Sequence, residues 1–246
     1  MSRRFPSFKA LAGRCLRLPL KCLPAGMVLP ILSGRLRGKR WIVSSGVHGY
    51  WLGIYEARTQ RWFQRMVKHG FVVIDVGAHV GFYSLLASEL VGQGGRVIAL
   101  EPLPENLRAL RAHLEMNHVT NVAVLEMAVS DECQTAPFVA GENSSMGQLC
   151  SDGAMVVETV TLDYLFLNGL VPKPDCIKMD VEGEETAVLK GAQTLLAEAH
   201  PIIFLAAHGS SKKQECCDFL ANLGYGFTFV RDGSADADWE ILATKV

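Results

Sequence analysis

"FVVIDVGAHVGFYSLLASEL", residues 71–90, holds an apolar run, a glycine-bearing turn and a helix in succession. Phe71 to Val76 is continuously apolar apart from Asp75, the pattern of a strand covered on both faces. Phe82, Leu85, Leu86 and Leu90 recur at helical spacing and share one side. Between strand and helix, Gly77 permits a tight turn and Gly81 allows close helix packing. A glycine loop alone is a weak signal of a ligand-binding turn; its place between a strand and a helix makes it a stronger one.

The same rhythm continues outward. "RVIALE" (96–101) reads as a second buried strand, "ENLRALRAHLEMN" (105–117) as an amphipathic helix and "VAVLEMAV" (122–129) as a third strand. "CIKMD" (176–180), a helix over 184–199, "PIIFLA" (201–206) and a helix near 212–223 follow. "GFTFV" (226–230) and "WEILAT" (239–244) close the pattern. Alternating strands and helices predict an α/β fold, a parallel sheet with helices on both faces. Only "RDGSADAD" joins the final two strands, too little for a helical crossover, so an antiparallel last strand is expected. Six parallel strands and one antiparallel strand depart from the ordinary dinucleotide fold.

A chain of 246 residues suffices for one large α/β domain, expected over 41–246. Residues 41–69 read as a short strand, an aromatic turn and a helix, and 131–161 as a loop flanked by short strands, an insertion covering the substrate. The seven cysteines show no CxxC, and their odd number favours reduced thiols and a cytoplasmic setting. Met1 to Tyr55 carries ten Lys/Arg and no acid, leaving 14 basic against 25 acidic residues elsewhere. Residues 1–40 are therefore expected as a basic N-terminal extension, mainly solvated, with weak peripheral membrane contact as the alternative. The apolar run Cys22–Leu32 is too short to span a bilayer and holds Pro24 and Pro30. An acidic body without a basic stripe argues against nucleic acid.

Glu101 ends the second strand, where an acid accepts hydrogen bonds from ribose hydroxyls. After Asp75 the loop runs G-A-H-V-G, without the second glycine that admits a pyrophosphate. A nucleoside ligand lacking phosphates, such as S-adenosylmethionine, fits better. Cofactor contacts are expected from Asp75, Gly77, Ala78, His79, Gly81, Glu101 and Pro102, and from Ala128 and Val129 at the third strand's end.

"VVIDVGAHVGFYS", "VIALEPLPENLRALRAHLEMN" and "CIKMDVEGEETAVLKGA" resemble the signature stretches of FkbM-type methyltransferases, as does the upstream "HGYWLGIYE". The resemblance covers about residues 45–208 and is most specific at "KMDVEGEE". It implies a class I, Rossmann-like seven-stranded fold, S-adenosylmethionine as donor, and O-methylation of a sugar or natural-product hydroxyl. Two departures stand out: His79 where the family more often has Asn, and Ala206–Ala207 where it commonly supplies an acid.

The acid run after "IKMD" divides in two. Asp180, at the carboxyl end of the fourth strand, is expected to orient the acceptor or take its proton, with Glu182 beside it. Glu184 and Glu185 read as acids of the next helix's first turn. His208 ends the fifth strand and is expected to serve as a general base; His48, His69, His113, His118 and His200 have weaker claims. Magnesium would need a third oxygen ligand beside Asp180 and Glu182; none is identifiable, so no metal is expected. Two other readings compete. Glu101 would equally suit a nicotinamide-dependent oxidoreductase, and Ala206–Ala207 would suit a non-catalytic nucleoside-binding protein.

Overall fold

The computed structural model describes residues 24, 26–140, 147–149, 155–231 and 238–246. In chain order the opening elements are β1 (Val28–Pro30), β2 (Arg40–Ile42), α1 (Gly49–Leu52) and α2 (Ala57–Met66). The core begins with β3 (Val72–Val76), α3 (Phe82–Val91), β4 (Arg96–Leu100), α4 (Pro104–Met116) and β5 (Val122–Leu125). Then come β6 (Ala128–Val129), β7 (Gln134–Ala140), β8 (Gly147–Leu149), β9 (Met155–Val160) and α5 (Leu162–Leu167). The chain ends with β10 (Cys176–Met179), α6 (Glu185–Lys190), α7 (Gln193–Ala199), β11 (Ile202–His208), α8 (Ser210–Asn222), β12 (Tyr225–Arg231) and β13 (Asp238–Lys245).

Seven strands form the main sheet in the order β12-β13-β11-β10-β3-β4-β5. β13 runs antiparallel to both neighbours, while the remaining adjacent pairs are parallel. Successive residues of the apolar strands enter different layers: Val73, Val97, Cys176 and Phe204 pack in one, Ile74, Ile98, Ile177 and Ile203 in the other. Both faces are therefore covered, which is why these strands are apolar throughout instead of alternating. From β3 the chain winds outward to β4 and β5, then returns to β10 and winds the opposite way. The carboxyl ends of β3 and β10 thus flank a topological switch point, the place where open α/β sheets bind ligands.

Two expectations are corrected. The run 122–129 is two strands: β5 pairs with β4, whereas Ala128–Val129 joins β9 in a second sheet of order β6-β9-β7-β8. The short strands expected to flank a loop over 131–161 are β7, β8 and β9 of that sheet, and 141–146 and 150–154 lie outside the described residues. The helix expected over 184–199 breaks at Gly191, which lies against Ser130: a Cβ there would sit 2.2 Å from the Ser130 carbonyl oxygen. α7 restarts under a cap from another element, the Asp163 carboxylate accepting from the Thr194 and Leu195 amides at 3.0 and 2.8 Å.

The domain also begins before residue 41. β1 pairs with β2, and Ile31 and Leu36 are buried in the same core as Trp41. Residues 26–40 are thus folded structure, and most of the extension's remainder falls outside the described residues. No described helix is long and apolar enough to cross a membrane.

His113 ties this N-terminal segment to the domain. Its ring stacks on Trp41 at 3.7 Å between centroids, Nδ1 donates to the Val80 carbonyl at 2.8 Å, and Nε2 accepts from the Ile42 amide at 3.1 Å. Only the neutral ring satisfies both bonds, and burial holds its pKa down at about 4. The unfolded chain therefore binds the extra proton between about pH 6.5 and 4, and stability falls as pH drops through that window. Urea titrations are expected to show about 2 kcal/mol less stability from this residue at pH 5 than at pH 7. His113→Gln is expected to lose that increment of pH dependence.

Candidate active site

At the switch point the backbones of two strand ends touch. Gly77, directly after β3, has φ +76°, and a Cβ on it would stand 2.0 Å from the Asp180 carbonyl oxygen. Its amide and that of Ala78 both donate to the Leu100 carbonyl at 3.0 Å, which fastens the turn to the end of β4. His79 follows at φ +51°, and its amide donates to Glu101 Oε2 at 2.8 Å.

Glu101 is buried. Its Oε1 accepts from the Leu103 amide and from Asn106 Nδ2, each at 3.0 Å. Burial raises its pKa, partly offset by Asn106, Leu103 and the His79 amide. A carboxylate so desolvated gains from any further hydroxyl donor that reaches it.

One cavity brings together Gly77, His79, Glu101, Pro102, Ala128 and Val129 with Asp180 and Glu182. Asp75 and Ala78 line a smaller adjoining cavity that shares Gly77, His79 and Asp180 with the first. Asp75 accepts the Ser84 hydroxyl at 2.6 Å, and burial pushes its pKa up to about 6. Gly81 lines neither cavity. It caps α3 at φ +89°, and a Cβ would meet Leu110 at 3.0 Å, so its place is explained by packing. Sequence reasoning missed Tyr50, Tyr55, Asn106, Met127 and Phe138, which complete the first cavity from the N-terminal helices, α4 and the second sheet. Burial pushes the Tyr50 and Tyr55 hydroxyls well above their ordinary range, so both remain neutral phenols.

The edge between β10 and β11 is dominated by charge. Lys178 is 1% exposed; its Nζ lies 3.5 Å from Asp180 Oδ2 and 5.0 Å from the centre of the Tyr83 ring. Burial opposes its charge, but Asp180, Glu240, Glu56 and Asp75 outweigh that and hold the ammonium above its ordinary pKa. His208 Nε2 stands 3.7 Å from Asp180 Oδ1 and 3.5 Å from Glu182 Oε2. Glu185, expected as a solvated helix-entrance acid, is instead 0% exposed. Its Oε1 lies 2.6 Å from His208 Nδ1 and accepts from the Gly183 amide at 2.9 Å. Burial would lower the His208 pKa; the Glu185 hydrogen bond and the neighbouring carboxylates override it and raise it to about 9. His208 therefore does not titrate near 6.5, as a solvated histidine would.

A seven-stranded sheet with an antiparallel strand inserted beside the edge, a buried carboxylate at the end of the strand next to the glycine turn, and an acidic edge beside the same cavity define the class: an S-adenosylmethionine-dependent methyltransferase fold. Within that class, residues 75–227 match the model of the methyltransferase FkbM domain, and the chain belongs to that family. Hexuronic acid methyltransferase AglP of Haloferax volcanii is 30% identical over 134 residues, 54% of this chain and 54% of the relative. The chain thus spans about half the length of that curated relative. The structure of methyltransferase FkbM from Methylobacillus flagellatus superposes with a TM-score of 0.53 at 17% identity, covering 82% of this chain and 56% of that one. SMU.1697c of Streptococcus mutans, solved in complex with SAH, gives 0.51 at 12% identity over 76% of this chain and 96% of its own. At such identities both structures speak to the fold.

The contact at Gly77 makes a direct prediction. Gly77→Ala must part the ends of β3 and β10, and calorimetry is expected to show S-adenosylhomocysteine affinity reduced at least about tenfold. Gly70→Ala, at φ +84° with nothing within 4 Å of the added Cβ, is expected to cost about 1 kcal/mol of stability and leave that affinity unchanged.

Proposed function

We propose that the protein transfers a methyl group from S-adenosylmethionine to a hydroxyl of a small, sugar-like acceptor. The observation that carries this reading is the convergence of Gly77, Glu101 and Asp180 on one cavity. When bound, S-adenosylmethionine supplies an electrophilic methyl group. Glu101 takes the ribose hydroxyls, the turn from Gly77 to His79 holds the amino-acid end, and Met127 and Val129 provide apolar walls for the base.

The acceptor enters beside Asp180 and Glu182. Lys178 Nζ stands 3.5 Å from Asp180 Oδ2, and this carboxylate is placed to orient the hydroxyl and receive its proton. His208, with its raised pKa, supports those carboxylates instead of serving as a solitary base. Positioning accounts for most of the expected acceleration, up to about 7–11 kcal/mol. The second sheet, which contributes Phe138 to the cavity wall, is assigned to acceptor recognition. The activity named for the AglP relative makes a hexuronic acid the first acceptor class to test. Family membership removes the nicotinamide alternative.

The test is methyl transfer from radiolabelled S-adenosylmethionine to a panel of free and glycosidic hexuronic acids and neutral sugars. Labelled product is expected from at least one member, and Asp180→Asn is expected to lower kcat about a hundredfold with donor affinity within about threefold. A protein that binds S-adenosylhomocysteine yet methylates nothing across sugar, carboxylate and amine panels would be a binding protein, contrary to this reading.

A further inference from the structure

We propose that Asp180, Glu182 and His208 form a divalent-cation site, with magnesium or manganese as the ion and the acceptor hydroxyl as a further ligand. The hydroxyl's place in the site rests on the methyl-transfer reading; the ion site itself does not.

The three side chains come from the ends of two neighbouring parallel strands, β10 and β11, whose last paired residues are Met179 and Leu205. One ligand atom from each lies within 4.8 Å of the other two. The Nε2–carboxylate separations are 3.7 and 3.5 Å. Bonds of about 2.1–2.4 Å from a hard cation place neighbouring ligand atoms roughly 3.0–3.4 Å apart, so the two Nε2–carboxylate pairs need to contract by only a few tenths of an ångström. Two carboxylate oxygens and one imidazole nitrogen suit magnesium or manganese, and side-chain exposures of 20–30% leave coordination positions open for water or an acceptor oxygen.

Glu185 supplies the second observation, and it lies outside the ligand trio. A carboxylate that is 0% exposed needs a strong reason to be buried, yet its Oε2 finds no hydrogen-bond partner among the described residues and its Oε1 is given to His208 Nδ1 and the Gly183 amide. By holding Nδ1 it directs Nε2 toward Asp180 and Glu182. A buried carboxylate fixing the far nitrogen is the arrangement that orients metal-ligating histidines. Charge balance agrees for the ion-bound state, in which a ligating His208 ring is neutral. Asp180, Glu182 and Glu185 then bring three negative charges, and Lys178 at 3.5 Å from Asp180 returns one positive charge. Two remain, which one divalent ion neutralises. An acceptor hydroxyl bound to that ion would lose its proton more readily than a free one.

Manganese alone, added to metal-stripped full-length protein and followed by water-proton relaxation, tests the site. One ion per chain is expected, displaced by magnesium and broadening the His208 ring resonances in the wild-type protein. Asp180→Asn and His208→Ala are each expected to weaken binding at least tenfold. Glu185→Gln, which touches no ligand atom, is expected to weaken it about 10–100-fold. Glu198→Gln, an exposed position on α7, is expected to have no effect. S-adenosylhomocysteine titration of the same samples certifies folding and keeps the two readings apart. Protein that binds S-adenosylhomocysteine but takes up no manganese at 1 mM overturns the ion site and leaves methyl transfer standing. Manganese binding undiminished in both ligand variants, or wild-type His208 resonances left sharp, likewise overturns it. Absence of S-adenosylhomocysteine binding overturns the methyl-transfer reading, whatever manganese does.

Discussion

The contact between Gly77 and the Asp180 carbonyl governs the site. Two parallel strands wound in opposite directions leave a gap at their carboxyl ends, and here the gap closes to backbone contact because residue 77 has no side chain. The turn after β3 is thereby held on both sides, by Asp180 on β10's side and by the Leu100 carbonyl on β4's. Glu101 then catches the His79 amide, so the residues expected to bind donor and acceptor share one rigid frame. A site that must align three atoms for displacement needs such a frame, since a small misplacement costs rate steeply.

Electrostatics supplies the second layer. Burying Lys178 in an apolar strand would be costly in isolation, but it lies over the Tyr83 ring and against Asp180, with Glu56, Glu240 and Asp75 contributing from farther off. On the other side, buried Glu185 holds the partly exposed His208, which faces the same carboxylate. Asp180 is thus set between two positive groups.

Much of this was legible in the chain. The apolar runs at 71–76, 96–101, 176–180 and 201–206 can be buried only in a sheet covered on both faces, and the short link before 239–244 forces the last strand to reverse. Glu101 was legible because a strand end and a glycine turn frame it. Elsewhere local patterns gave no sign. "VAVLEMAV" contains no glycine or proline, so nothing marks the switch from β5 to the second sheet after Leu125. Glu185 occupies a helix's first turn like any solvated acid, and only its meeting with His208, 23 residues on, buries it. Tyr50, Tyr55 and Phe138 reach the cavity through tertiary packing that no spacing encodes.

The central claim is that four separated chain segments enclose a single adenosyl ligand. Hydrogen–deuterium exchange with and without S-adenosylhomocysteine tests it most directly. The account requires simultaneous protection of residues 76–81, 100–103, 126–129 and 180–183. Protection confined to one of these segments, or absent from 180–183 while the ligand is bound, would contradict it.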